Sequence, residues 1–151
     1  MLVAQGNLAV SYENLGRDEE ALRMKRDVYS GRLRLLGEED ALTLQAALNC
    51  ATSLIDLKRC EEARSLLCRT IPVTRRILGE SNNLTLKMRT IYASALYRDD
   101  GATLDDLREA VSTLEDTERT IRRVLGGTHP VTTGIEDRLR EARDRLLEES
   151  N

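Results

Sequence analysis

Apolar residues recur at helical spacing along most of the chain, and glycines interrupt the pattern. Leu8, Tyr12 and Leu15 lie four and three residues apart, which places them on one face of a helix. A second run with the same spacing begins near Asp18, where acidic residues suit a helix start, and it ends at Gly37. The pattern therefore predicts two helices joined by a short turn.

The joint that follows this pair is written three times. "LLGEEDALTL" (35–44) returns as "ILGESNNLTL" (77–86), 42 residues later, and more loosely as "VLGGTHPVTT" (124–133). The third copy is displaced by a five-residue insertion, which we place in the polar, turn-rich segment "YRDDGATLDD" (97–106). Recurrence at a fixed period of this length is typical of repeat architectures.

Each joint combines a helix stop with a helix start. A glycine ends one helix in every copy, and a residue able to cap the next helix follows it. The expected stops are Gly37, Gly79 and Gly126, and the expected caps are Asp40, Asn82 and His129. Pro130 after His129 suits the first helical position. The joint is thus a turn between successive helix pairs.

The repeat predicts a single all-α domain over residues 1–151. We expect helices at about 2–15, 18–36, 42–57, 61–78, 84–97, 104–125 and 130–149, grouped into units at about 2–40, 41–82 and 83–129 with a terminal helix at 130–149. Alanines at recurring positions let neighbouring helices approach closely. Pro72 falls inside a predicted helix, where we expect a bend near 70–71 and no break.

The composition agrees with helices packed on helices, and it argues against two classes of function, general nucleic-acid binding and membrane insertion. Aromatic residues make up only 3% of the chain, so Leu, Ala, Ile and Val must build the core. The net charge of −3 argues against a general nucleic-acid binder, which needs clustered positive charge. No apolar run is long enough for a membrane span, and the first residues do not resemble a secretory signal. Three cysteines without CxxC spacing favour a reducing, cytoplasmic location.

The sequence offers no constellation for catalysis, a metal or a cofactor. His129 is the only histidine, so neither a usual zinc set nor a base–nucleophile pair can form around it. Cys50 falls on the buried face of its predicted helix. Cys60 opens a helix and would be sensitive to oxidation if it were exposed, whereas Cys68 suggests no chemistry. We expect the protein to have no enzymatic activity and to need no cofactor.

Two segments carry a family resemblance. "NLAVSYENLGRDEEA" (7–21) and "LGGTHPVT" (125–132) resemble tetratricopeptide repeats of the kinesin-light-chain type, whose period of 42 exceeds the usual ~34 residues. The later units depart from the pattern at Leu54, Lys58 and Ile91. The resemblance implies an α-solenoid of antiparallel helix pairs in a right-handed superhelix. It also implies a scaffold that binds a protein or peptide on the concave surface, which the first helix of each pair lines.

By family position, ten polar residues are candidates for that concave groove. They are Asn7, Asn14, Gln45, Asn49, Thr52, Lys87, Ser94, Arg98, Arg138 and Arg145. An asparagine can both donate and accept, so it can hold the backbone of an extended peptide, although it could equally cap or crosslink helices. Lysine and arginine further along favour carboxylates. The expected ligand is therefore an acidic peptide segment of a protein partner.

Two other functions remain open from the sequence. The chain could be a structural or self-associating fragment of a longer repeat array, since its ends lack polar capping units and could stack on further repeats or on another copy. Helical repeats also read RNA, but the sequence pI near 5.4 and the irregular positions that would read bases make that the weaker alternative. We expect neither nucleic acid nor a membrane as a partner.

Overall fold

The computed structural model describes residues 17–151 and holds six helices in that range. We label them in chain order as α1 (Asp18–Leu36), α2 (Ala41–Asp56), α3 (Cys60–Leu78), α4 (Asn83–Tyr97), α5 (Leu104–Leu125) and α6 (Pro130–Ser150). Each of these helices was predicted from the apolar spacing. The predicted helix at 2–15 lies outside the described residues. The division of the chain into units stays a prediction.

None of the helices within residues 17–151 combines the length and the apolar character that crossing a membrane requires.

The three joints have the structure that the repeated sequence predicts. Gly37, Gly79 and Gly126 adopt φ values of 85°, 89° and 87°, a region that side chains other than glycine rarely enter. Each of these glycines donates its N–H to a carbonyl in the last turn of the preceding helix. Three caps follow, in which Asp40, Asn82 and His129 accept from the backbone N–H groups of Leu42, Leu84 and Val131 at 2.8, 2.9 and 3.2 Å. The predicted stops and caps are confirmed.

Each joint contains a threonine at the same position. In two of the three copies its hydroxyl forms a hydrogen bond to the glycine that ends the preceding helix. The hydroxyl of Thr85 donates to the carbonyl of Gly79 at 2.8 Å, and that of Thr132 donates to the carbonyl of Gly126 at 2.7 Å. The equivalent hydroxyl of Thr43 is buried and has no hydrogen-bond partner among the described residues. Within residues 17–151, the threonine hydroxyl therefore forms a hydrogen bond in two copies of the joint and is buried without one in the other.

This difference predicts opposite effects of the same substitution. Thr85→Val should lower the free energy of unfolding by about 1 kcal/mol, because it removes a buried hydrogen bond. Thr43→Val should leave the free energy unchanged or raise it by about 1 kcal/mol, because it removes a buried hydroxyl that has no partner. Urea unfolding followed by circular dichroism measures both, and each variant controls for the other's change of shape. Equal losses in the two variants would contradict the assignment.

The helices form a curved stack. Each helix packs against the next one in the chain, and α2, α4 and α6 also contact each other in turn. Among the described helices, α1, α3 and α5 make no such contacts with one another. The first-of-pair helices α2, α4 and α6 therefore lie on the inner, concave side, and α1, α3 and α5 fan out on the outer side. The predicted all-α solenoid is confirmed.

Close packing depends on small side chains at the recurring alanine positions. Ala51 and Ala63 in the second pair are 0% exposed, and so are Ala93 and Ala110 in the next. The core consists of two clusters, one between α1, α2, α3 and α4 and the other between α4, α5 and α6. Helix α4 contributes to both, so it joins the two halves of the stack.

Two residues break local rules without interrupting the fold. Helix α3 continues through Pro72, as expected, and the bend near that residue stays a prediction. Lys58 stands where the first unit has Gly16 and adopts a φ of 60°, a left-handed conformation that costs a lysine more than a glycine. The turn between α2 and α3 thus reaches a left-handed conformation without a glycine, and the N–H of Lys58 donates to the carbonyl of Ile55 at 2.9 Å.

The three cysteines differ in exposure. Cys50 is 1% exposed, as its helical position predicts, and burial raises the pKa of its thiol to about 11. Cys60 is also buried, so the condition set for its oxidation is not met. Cys68 is the exposed thiol. Burial raises the pKa of Cys60 as well, which further lowers the reactivity of that group.

Candidate functional site

A groove of about 450 Å³ opens on the concave side between α4 and α6, with α2 at its edge. Its lining comes from these three helices and from the end of α5. The lining residues are Leu48, Thr52, Asn83, Leu86, Lys87, Thr90, Ile91, Ile121, Leu125, Pro130, Val131, Gly134, Ile135 and Arg138. The groove therefore lies where the first helices of successive pairs meet.

Most of the groove wall is apolar. Leu86 and Ile135 are 4% and 2% exposed and belong to the core cluster beneath the groove. Leu125 and Val131 are 40% and 39% exposed, at the end of α5 and the start of α6. Burying such a side chain against a ligand releases apolar surface from water, at about 25 cal/mol per Å². The groove is thus suited to an apolar side chain.

Two cations border this apolar surface. Lys87 on α4 is exposed and makes no ion pair within the described part of the chain. Arg138 on α6 is half-buried, and its Nε is buried without a hydrogen-bond partner there. The groove lining, as far as the structure describes it, contains no carboxylate. The local charge is therefore positive on a chain whose net charge is −3.

Arg138 lies next to Gly134 in the groove. A Cβ built on Gly134 would lie 3.8 Å from Nη1 of Arg138, an ordinary van der Waals distance. The guanidinium therefore lies close to the backbone of α6 one turn back, beside the groove floor. Arg138 lines the groove, and its guanidinium carries several N–H donors for a ligand there.

The structure brings together three of the ten predicted groove residues. Thr52, Lys87 and Arg138 all line the groove, from α2, α4 and α6 respectively. The Thr52 hydroxyl already donates to the carbonyl of Leu48 at 3.0 Å, so it offers only its acceptor capacity. Of the predicted groove residues, Lys87 and Arg138 are therefore the two that line the groove and can still donate hydrogen bonds to a ligand.

Gln45 and Asn49 lie two turns and one turn before Thr52 on α2, outside the groove lining. Nε2 of Gln45 donates to Oδ1 of Asn49 at 3.1 Å. One donor of Gln45 and the acceptor oxygen of Asn49 are therefore already engaged in a hydrogen bond. The amide group of Asn49 keeps its own N–H donors and is exposed. The backbone-clamp role assigned to Asn49 stays a prediction.

Three further candidates have structural partners elsewhere. Ser94 is 1% exposed, and its hydroxyl donates to the carbonyl of Thr90 at 3.1 Å. Arg98 follows the last residue of α4, pairs with Glu141 at 3.6 Å and lies over the ring of Tyr97, far along α4 from the groove. Arg145 donates to the carbonyl of Tyr97, and to that of Asp100 at 3.4 Å. Both arginines thus fasten α6 to the end of α4.

The same region explains a shifted tyrosine. Burial raises the pKa of Tyr97, and its hydroxyl donates to Oε2 of Glu141 at 2.8 Å, which raises it further. Because Arg98 pairs with the same carboxylate, Tyr97, Arg98 and Glu141 form one connected group. This group joins α6 to the end of α4, away from the groove.

Asn7 and Asn14 lie outside the described residues. The apolar lining was missed from the sequence, because Leu125, Val131 and their neighbours have the same helical spacing as core residues. Pro130 was expected only to suit the first helical position, and no feature of the sequence marked Pro130 or Val131 as part of a groove wall. The polar candidates were chosen by family position, which does not distinguish a groove wall from a core.

A larger cavity, about 720 Å³, lies on the outer side between α1 and α3. Glu62 in its lining accepts from Arg26 and from Arg59, at 2.9 Å for Nε of the latter. The hydrogen bond from Arg59 is the main reason that the pKa of Glu62 is lowered. As far as the structure describes it, the lining holds four cations and three carboxylates, so its charges cancel in large part, whereas the described groove lining has two cations and no carboxylate.

Within residues 17–151 no three His, Cys, Asp or Glu side chains gather into a group that could hold a metal ion.

Comparisons with known proteins agree with this architecture. Residues 1–76 match the family model described as tetratricopeptide repeat. No curated protein matches the chain. A crystal structure of a kinesin light chain from Podosopora anserina with nearly identical TPR-like repeats is 23% identical, with a TM-score of 0.84, and the match covers 98% of this chain and 72% of that one.

Two more solved structures share the fold. A single-residue variant of the Podosopora anserina protein has a TM-score of 0.83 and 24% identity, again over 98% of this chain and 72% of that one. BtubC (BKLC) from P. vanneervenii has a TM-score of 0.62 and 16% identity, over 97% of this chain and 62% of that one. At these identities the likeness concerns the fold.

Proposed function

Because the chain belongs to the tetratricopeptide repeat family, with repeats like those of kinesin light chains, we propose that it binds a peptide segment of a protein partner in the concave groove. The repeat fold suggests a scaffold for protein–protein interaction. The finer proposal is that the segment is acidic, lies across α2, α4 and α6, and places an apolar side chain between α4 and α6.

The observation that carries the proposal is the combination of an apolar wall with two cations and no described carboxylate. An apolar side chain of the ligand would be buried against Leu125 and Val131, which are partly exposed without it. A neighbouring carboxylate would accept from Lys87 and from the free N–H groups of Arg138. Such charge-assisted hydrogen bonds are stronger than neutral ones, and arginine can form two with one carboxylate.

The groove residues also support binding without catalysis. Lys87 and Arg138 can hold an anion, and the hydroxyls of Thr52 and Thr90 in the lining donate to carbonyls of their own helices, at 3.0 and 2.9 Å. The described lining contains no carboxylate or histidine that could activate them as a general base. We therefore propose that the protein is a scaffold and not an enzyme. We also propose a cytoplasmic location, for which the three cysteines without CxxC spacing are the support. Self-association through the ends of the stack remains the alternative, and light scattering over a concentration series tests it.

A titration with matched peptides tests the acidic-peptide proposal. We expect a peptide with leucines and glutamates to bind about tenfold more tightly than the same peptide with glutamines, because a charged hydrogen bond adds about 1.4 kcal/mol or more. Isothermal titration calorimetry at two salt concentrations measures this, and added salt should reduce the difference. Equal affinity for both peptides would exclude the acidic version, and binding of neither would exclude the groove.

A further inference from the structure

A second group of arginines lies on the outer side of the stack, where α3 and α5 diverge. The cleft between them measures about 440 Å³, and α4 contributes Arg89 to its wall. Its charged residues are Arg75, Glu80, Arg89, Asp116, Arg119 and Arg123. Four guanidinium groups against two carboxylates leave this cleft with a net charge of about +2, on a chain that is acidic as a whole.

Arg89 is the unusual member of the group. Its side chain is 12% exposed, and its Nε is buried with no hydrogen-bond partner among the residues described. Its ion pair with Glu80 is long, at 3.8 Å, and Glu80 is itself 60% exposed. Burial and the nearby Arg75 both lower the pKa of Arg89. A buried cation with so weak a partner lowers the stability of the fold.

The repeat shows that the fold does not need an arginine at this position. In the preceding unit the equivalent residue is Ala47, which is 0% exposed. A small apolar residue therefore fills the place between neighbouring helices without any charge. The following unit has Glu136 at this position, where it pairs with Arg122. A buried arginine with only a distant carboxylate is therefore particular to the copy that contains Arg89.

The other arginines surround the same space with donors. Arg75 reaches Glu80 at 3.1 Å, and Arg119 reaches Asp116 one turn earlier on α5. Arg123 makes no ion pair within residues 17–151. The two carboxylates are more than half exposed, so they lie towards solvent while Arg89 lies beneath them. The arginines of the cleft thus come from three helices: Arg75 from α3, Arg89 from α4, and Arg119 and Arg123 from α5.

We propose that this cleft is a binding site for a phosphate group, from inorganic phosphate or from a phosphorylated side chain of a partner. A phosphate carries about −1.5 to −2 charges at neutral pH, which matches the positive charge of the cleft. Arginine binds phosphate through two parallel N–H donors. The bound anion gives Arg89 a closer negative charge than Glu80, whose carboxylate lies 3.8 Å away.

The site is separate from the concave groove. Leu86, Lys87 and Thr90 line the groove from α4, whereas Arg89 lines the cleft. A helix turns by about 100° per residue, so Arg89 lies more than about 90° around α4 from the middle of the groove-lining set. Both sites can therefore be occupied together. The phosphate site does not depend on the peptide-binding proposal, and either can fail without the other.

Thermal unfolding in phosphate tests the site. The midpoint temperature of the wild-type chain, followed by circular dichroism, should rise by about 3 °C when phosphate replaces chloride at equal ionic strength. Arg89→Ala should show no such rise, because it removes the central donor. In chloride its midpoint should equal or exceed that of the wild type, since alanine already fills the equivalent place at Ala47.

Two further variants make the result specific. Arg76→Ala changes an exposed arginine that pairs with Glu39 outside the cleft, and it should keep the full rise. This comparison also accounts for the general stabilising effect of phosphate. If Arg89→Ala does not fold, the double variant of the exposed Arg119 and Arg123 to alanine should reduce the rise by at least half. Equal rises in the wild type and the cleft variants, or no rise in the wild type, would overturn the proposal.

The source of the phosphate is a separate arm of the same experiment. O-phosphoserine and serine are compared with inorganic phosphate. A larger rise with O-phosphoserine than with inorganic phosphate supports a phosphorylated partner. An equal rise supports the free anion. Both results support the cleft and differ only in what presents the phosphate.

Discussion

Truncating Leu114 to alanine is expected to lower the free energy of unfolding by about 3 kcal/mol, within the range of about 2–5 kcal/mol for buried leucines. Leu114 lies in the middle of α5, is 0% exposed and belongs to the cluster between α4, α5 and α6. Alanine would leave a cavity there, because the close-packed helices cannot collapse into it. Chemical unfolding followed by circular dichroism gives the value.

Leu147→Ala is the matched control for Leu114→Ala. It makes the same chemical change in a helix, but Leu147 is 64% exposed, so the free energy should change by no more than about 0.5 kcal/mol. A similar loss in both variants would mean that Leu114 is not packed as the structure shows.

The location of the damage is a second readout of Leu114→Ala. In a stack, each unit contacts only its neighbours, so destabilisation spreads from the site of the change. Amide hydrogen exchange should accelerate most in α4, α5 and α6 and least in α1 and α2, which belong to the other cluster. An equal change throughout residues 17–151 would show that the described helices unfold as one unit.

The helices and their joints could be predicted because their causes are local. Gly79 ends a helix through its own backbone freedom, and Asn82 caps the next through a bond to a residue two positions away. Such chemistry is visible in a short window of sequence. Its recurrence after 42 residues shows that the same turn is built again, which is why the solenoid followed from the pattern.

The groove could be predicted only in part because its wall depends on distant helices. Val131 and Ile135 are apolar and lie four residues apart, so the helical pattern places both on one face of α6. In the structure, however, Val131 is 39% exposed and Ile135 is 2% exposed. The difference arises from how α6 lies across α4, which no short window contains. Arg145 shows the converse. It is a groove candidate by family position, and the structure places it outside the groove lining, where it donates to a carbonyl 48 residues earlier in the chain.

Exposure of single side chains was equally hard to predict. Cys60 and Cys68 lie two turns apart on α3, and the one at the helix start is buried by the turn after α4, as its neighbours Asp99 and Arg98 indicate. Position within a helix does not reveal what packs over its end. The sequence therefore identified which residues form the stack and left open which of them face solvent.

Reversing both groove charges, with Lys87→Glu and Arg138→Glu, is expected to weaken binding of the acidic peptide by about 100-fold, because each lost charged hydrogen bond is worth about tenfold or more. Both residues line the groove, one from each side of the α4–α6 contact. The unpartnered Nε of Arg138 gives no internal hydrogen bond to lose, so the fold should survive. Calorimetric titration measures the affinity, and circular dichroism verifies the helix content.

The control for the groove variant is an equal change of net charge elsewhere. Arg108→Glu plus Arg140→Glu alters two arginines that are 62% and 71% exposed and lie outside the groove lining. This variant should bind the acidic peptide almost as tightly as the wild type does. An equal loss in both variants would show that the attraction is a long-range effect of total charge, which salt screens.

A charge-swapped ligand separates contact from general repulsion. A peptide in which lysines replace the glutamates should bind the charge-reversed groove variant more tightly than it binds the wild type, because the same two positions now offer carboxylates. Residues that merely stabilise the groove would give no such reversal. Recovery of affinity with the lysine peptide would therefore place Lys87 and Arg138 in direct contact with the ligand's charges, and failure to recover would remove them from the binding surface.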